Sequence, residues 1–123
     1  KTARDLREGM RLVKECLSII WECQYRAEKR KSYLKFWMLE NPETGQLKHF
    51  LGKPIFVYDQ IEYGEFQRKI TGLWGYFNLP KRVLLFNSIP TGRTRQKEWT
   101  RKTQEEKSKC PYNFAKAFFE ENQ

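Results

Sequence analysis

Residues 33–42, Tyr33-Leu34-Lys35-Phe36-Trp37-Met38-Leu39-Glu40-Asn41-Pro42, decide how the rest of the chain is read. The run 33–39 is mostly apolar and aromatic and ends on turn chemistry. Such a run, bounded in this way, predicts a strand covered on both faces. Pro42 has no N–H for a ladder and biases Asn41 away from helix, so the strand is expected to stop there. Upstream, Leu6, Met10, Val13, Leu17 and Ile20 recur at intervals of four, three, four and three. That spacing predicts a helix over residues 4–26 with one apolar stripe, which must dock on something, a sheet above all.

Downstream, residues 42–53 read as a loop or short helix punctuated by Gly45 and Gly52. Residues 55–59 read as a second strand, and 63–69 as the loop that follows it. Residues 70–77 and 82–86 are two further strand candidates, the first weakened by Gly72 and Gly75. The Asn78-Leu79-Pro80 turn separates them. Residues 88–109 are polar and carry seven Lys or Arg, which predicts a basic, mobile or partner-contacting loop. Asn113 is placed to cap a last helix whose buried side is Phe114, Ala115, Ala117, Phe118 and Phe119.

The chain has 123 residues, enough for a single domain spanning 1–123. Its net charge is +9, which favours a polyanionic partner, and 15% aromatic content argues against a disordered basic tail. No apolar run approaches the ~20 residues of a membrane span, and no secretory leader is visible. Cys16, Cys23 and Cys110 form no Cys-x-x-Cys pair; with His49 they make a four-ligand zinc set on paper only. Reduced thiols in an intracellular, cytoplasmic or nuclear compartment are the expectation. The order helix, strand, loop, strand, strand, strand, helix suggests α/β. A self-sufficient parallel sheet needs more alternating units, so the chain reads as half of something.

Three stretches resemble the later half of a cytosine-C5 DNA methyltransferase, closest to the compact viral and phage versions. The first, Phe36-Trp37-Met38-Leu39-Glu40-Asn41-Pro42, is similar to the family's strand ending in Glu-Asn-Val, with the Pro seen in several viral members. The second, Glu62-Tyr63-Gly64-Glu65-Phe66-Gln67-Arg68-Lys69, is similar to Tyr-Gly-x-Pro-Gln-x-Arg-x-Arg. The third, Cys110-Pro111-Tyr112-Asn113-Phe114-Ala115-Lys116-Ala117-Phe118, looks like the closing helix beside the cofactor-binding half. The resemblance implies an incomplete Rossmann-like methyltransferase sheet flanked by helices and lacking the N-terminal half that binds S-adenosylmethionine.

It also implies roles. Glu40 would bond an extruded cytosine at N3 and its amino group, with Asn41 and Pro42 shaping the turn. Gln67, Lys69 and Thr71 stand at the places of the family's Gln, Arg and Arg, which contact the base and brace the Glu; Arg68 is a neighbouring substitute. Lys brings a point charge where Arg brings a planar fork, and Thr brings no charge. Arg93, Arg95, Lys97, Arg101 and Lys102 lie where the family reads its DNA target, as phosphate-binding cations. Asn113 falls beside the expected cofactor site.

The family's Gly-rich turn is absent: no Gly-x-Gly follows any strand. Its Pro-Cys nucleophile is absent too, since Cys16 and Cys23 follow Glu15 and Glu22 inside a helix. Cys110 comes after the Glu strand, the wrong order. Alone, the chain is not expected to catalyse. A second polypeptide, or an N-terminal segment, is expected to complete the sheet and supply S-adenosylmethionine and nucleophile; a decayed relative kept for binding is the third alternative. The competing expectations are a non-catalytic basic nucleic-acid-binding module and an interaction protein whose charge serves solubility.

Overall fold

The computed structural model describes residues 2–83 and 110–123. In chain order it contains α1 (Ala3–Lys29), β1 (Trp37–Pro42), α2 (Leu47–Leu51), β2 (Phe56–Asp59), a 3-10 turn (Gln60–Tyr63), β3 (Ile70–Tyr76) and α3 (Tyr112–Glu121). The chain is mixed α/β, with helices and one three-stranded sheet of order β1-β3-β2. The central strand β3 runs antiparallel to both neighbours, which corrects the expectation of parallel pairing. The reason lies in the connection between β2 and β3. Adjacent parallel strands need a crossover of about a dozen residues or more, usually a helix, and residues 60–69 hold only a 3-10 turn. β1 and β2 therefore point the same way on either side of β3, and their C-terminal ends share one end of the sheet.

β1 begins later and ends later than its sequence suggests. It excludes residues 33–36, includes Glu40-Asn41-Pro42, and has no buried residue, so it is not the doubly covered strand expected. Pro42 is tolerated because of register. The Glu43 N–H donates to the Ile70 carbonyl at 2.9 Å, so alternate residues 37, 39, 41 and 43 face β3. Pro42 then has its nitrogen on the outer edge, where no ladder bond is lost. No strand pairs with that edge among the described residues.

The largest core cluster lies on one sheet face, while Trp74, next to Leu73 on β3, is buried on the other. Phe56 and Tyr58 of β2 and Leu73 of β3 pack with Tyr63 against Phe114, Ala117 and Phe118 of α3, and Met38 and Phe77 flank them. Alternation explains the sheet's contribution, since Phe56 and Tyr58 point inward and Val57 outward. Helical spacing explains that of α3, where 114, 117 and 118 share a face. Phe119, expected on the buried side, is exposed because it falls on the opposite face. Tyr58 stacks on Phe114 with ring centroids 4.3 Å apart, and Tyr63 meets both rings edge-on. Such pairs contribute about 0.5–1.5 kcal/mol each beyond their burial.

α3 is capped differently from expectation. Pro111 is the N-cap residue, and Asn113 lies inside the first turn with its amide donating to the Tyr63 carbonyl at 3.0 Å. This bond satisfies a carbonyl at the end of the 3-10 turn and ties α3 to it. At the other end, Asn122 accepts from the Asn78 N–H at 2.7 Å and donates back to the Asn78 carbonyl at 2.9 Å. The last helix is thus pinned at both ends, to the 3-10 turn and to the segment that follows β3.

α1 forms for local reasons. Thr2 and Asp5 make a reciprocal capping box, and Arg11–Glu15 and Arg26–Glu22 pair at 2.8 and 2.7 Å. Each such i,i+4 pair adds about 0.2–0.5 kcal/mol. Its stripe is not docked as expected: no residue of α1 is buried, Val13, Leu17 and Ile20 are half-covered, and Leu6 and Met10 are exposed. Among the described residues, no helix is long and apolar enough to cross a membrane. Of the expected strand 82–86, Arg82 and Val83 are described and lie outside any strand. Arg82 instead pairs with Glu62 and donates to the Val57 carbonyl at 2.9 Å. Residues 84–86 and the expected loop 88–109 lie outside the described residues.

Candidate functional site

The shared end of β1 and β2 builds a small pocket. Glu40 lies opposite Leu73, and Tyr58 lies opposite Thr71, so all four share the face that α3 covers. Gln60 follows β2 and Lys69 precedes β3, which brings both to the same end. Cys110 and Pro111 close the far wall as the chain enters α3. The pocket is lined by Glu40, Tyr58, Gln60, Lys69, Thr71, Cys110 and Pro111, with a volume of about 20 Å³. That is room for a single water molecule. Glu40 itself is exposed, so its carboxylate stands at the mouth.

The electrostatics follow from this lining. Partial burial against the pocket wall pushes the thiol of the otherwise exposed Cys110 up; the Glu40 carboxylate adds to the shift, and Lys69 opposes it. The Tyr58 phenol is held far above its ordinary range, first by burial and then by the nearby Cys110 and Glu40, while a hydrogen bond with Thr71 acts the other way. Tyr63, buried beneath, is pushed up to about 12 by burial, with Arg82 opposing and Glu62 adding. Both phenols thus stay protonated where a free tyrosine ionises.

A stability prediction follows. In the pH window between 10, the ordinary tyrosine value, and about 12, the unfolded chain loses the Tyr63 proton and the folded chain keeps it. Stability is therefore intact below the lower value and falls as pH rises through the window. Urea unfolding at stepped alkaline pH is expected to show this fall, and Tyr63→Phe to make it shallower.

The structure brings together Glu40, Lys69 and Thr71 of the residues singled out in the sequence. It places the others elsewhere. Asn41 is half-buried, and its side-chain oxygen has no hydrogen-bond partner. Pro42 lies opposite Thr71, exposed. Gln67 is buried and does not line the pocket; its carbonyl accepts from the Gln60 amide at 2.8 Å, and its own side-chain oxygen is unpaired. Arg68 is bound to Asp59 at 2.7 Å. Asn113 is engaged with Tyr63. Arg93, Arg95, Lys97, Arg101 and Lys102 lie outside the described residues. Cys16 and Cys23 are exposed free thiols, and no metal-ligand cluster exists among the described residues.

Tyr58 and Gln60 are pocket residues that the sequence reading missed, and Cys110 was set aside for its order in the chain. Asp59 was missed as an organising group. Its signal was present, because Asp59-x-x-Glu62 is a capping box: Asp59 accepts from Ile61, and Glu62 accepts from the Asp59 N–H at 2.9 Å. Comparison with protein-family models, curated proteins and solved structures finds no match to this chain.

Proposed function

We propose that the chain is the base- and DNA-binding portion of a cytosine-C5-type DNA methyltransferase, completed by a second polypeptide or an N-terminal segment. One observation carries this reading: Glu40 and Lys69 face one pocket at the sheet end where β1 and β2 terminate. These are the two positions at which the resemblance predicts a base-binding carboxyl and the cation that braces it. Open, mostly parallel sheets bind ligands beyond the carboxyl ends of their strands; β1 and β2 run parallel to each other on either side of β3, so their carboxyl ends lie at this end. The outer edge of β1, unpaired among the described residues, and the partly covered stripe of α1 are where the Rossmann-like completion would join.

The site's chemistry is that of a pyrimidine edge. One Glu40 oxygen accepts from the exocyclic amino group, and the other shares a proton with ring N3. Lys69 holds the carboxyl in place and offers a donor to the base carbonyl. The pocket is too small to engulf a ring, so an extruded base lies across its mouth, against exposed Glu40. The net charge of +9 supplies sequence-independent attraction to phosphates.

S-adenosylmethionine does not fit the described residues. No cradle follows a strand end, and the pocket has room for one water. The methyl donor and the attacking thiolate are therefore assigned to the completing half.

The test is methyl transfer to duplex DNA by the chain with and without its co-purifying polypeptides. Glu40→Gln is expected to reduce turnover by about a hundredfold or more while DNA affinity changes less than about twofold. Salt-dependent DNA binding with no turnover in any combination would favour the non-catalytic basic module instead. Absence of DNA binding at physiological ionic strength would remove both readings.

A further inference from the structure

We propose that Asp59 is a positioning residue: its carboxylate grips the backbone of Lys69 and so presents that side chain to the Glu40 pocket. Asp59 is buried at the end of β2, and each of its oxygens has an assignment. Oδ1 accepts from the Ile61 N–H at 3.3 Å and from the Lys69 N–H at 3.1 Å. Oδ2 accepts from Arg68 Nε at 2.7 Å. The Lys69 carbonyl in turn accepts from the Gln60 N–H at 3.2 Å. Lys69 is therefore held on both sides of its backbone, at the point where the loop from β2 rejoins the sheet.

One carboxylate thus does two separable things. It caps the 3-10 turn, which Asn or Ser also does well. It also reaches across the loop to Lys69, which the shorter Ser cannot do. Asn keeps one oxygen with two acceptor sites and so retains both backbone bonds, although it gives up the ion pair with Arg68. The exposed Arg68 pair is the less important contact, because solvent screens it.

The functional part of this inference rests on the proposed nucleobase site; the placement of Lys69 does not. Cys110 reports the placement directly, since Glu40, Lys69 and Tyr58 are the ionisable groups facing it in the pocket. The test uses the full chain in a Cys16→Ser/Cys23→Ser background, where Cys110 is the sole thiol, and follows iodoacetamide alkylation across pH. Releasing Lys69 removes the cation that lowers the thiol pKa. A higher thiol pKa leaves less of the reactive thiolate at a given pH, and a drop of about threefold is expected. Asp59→Ser and Lys69→Ala are expected to show that threefold slowing, whereas Asp59→Asn reacts like the parent.

Parent-like alkylation in Asp59→Ser, or equal slowing in Asp59→Asn, would overturn the proposal. A second arm measures affinity for a duplex with one unpaired cytosine against the fully paired duplex. A parent preference of about tenfold that disappears in Asp59→Ser supports both inferences. If the parent shows no preference while alkylation follows the expected pattern, the nucleobase reading fails and the placement of Lys69 by Asp59 stands.

Discussion

Phe114→Ala is expected to destabilise the chain by about 3–5 kcal/mol, the range for removing a buried aromatic ring. Phe114 is 1% exposed and stacks on Tyr58 with an interplanar angle of 11°. It also meets Tyr63 edge-on at 5.3 Å and Phe118 at 6.1 Å, so one truncation removes three ring contacts. The resulting void cannot collapse easily, because Tyr58 and Leu73 are fixed by the sheet and α3 is pinned at both ends by asparagines. A small domain has about 5–15 kcal/mol in total, so the loss is a large fraction of what holds α3 in place. Denaturant titration is expected to show a lower midpoint. Phe119→Ala, five residues along the same helix but 66% exposed, is expected to change stability by no more than about 0.5 kcal/mol. Equal effects at the two positions would mean that α3 does not pack as described.

Gly75→Ala is the second large effect, at about 3 kcal/mol, from backbone strain of about 1–3 kcal/mol plus a forced shift of the ladder. Gly75 has φ +144, a conformation open essentially to glycine alone, and it pairs with Met38 across the β1–β3 ladder. An added Cβ would collide with the carbonyl oxygen of Trp37, which is backbone and cannot swing aside as a side chain can. The substitution is expected to push β1 away while β2 and β3 stay paired. Hydrogen exchange would then show lost protection at Leu39 and Asn41, with Thr71 and Leu73 retained. Uniform loss across all three strands would count against this account.

The sequence was most informative where periodicity and burial coincide. Phe56 and Tyr58 alternate with Val57 as a half-covered strand should, and Phe114, Ala117 and Phe118 carry the helical stripe. The apolar content of β1 predicts coverage on both faces, whereas Met38 alone of its residues packs on the core cluster, and which edge the Pro42 nitrogen faces depends on register rather than local sequence. Gly72 and Gly75 weakened the case for β3, yet Gly75 is what allows β1 to approach so closely. α1 was legible as a helix, but its stripe does not say what covers it. The pocket was only partly legible. Glu40 and Lys69 could be paired through resemblance, whereas Tyr58, Gln60 and Cys110 meet there through folding alone. The grip of Asp59 on Lys69 depends on a loop closure that no local pattern encodes.

The outward-facing side of β1 has a further consequence. An unpaired strand margin is a template for unwanted stacking between identical molecules, and proteins commonly guard such margins with proline and charge. Pro42 ends the row of available donors after Met38 and Glu40, and Glu40 places a negative charge on the same margin. Proline and charge thus meet on one strand margin, the pattern that guards sheets against edge-to-edge stacking.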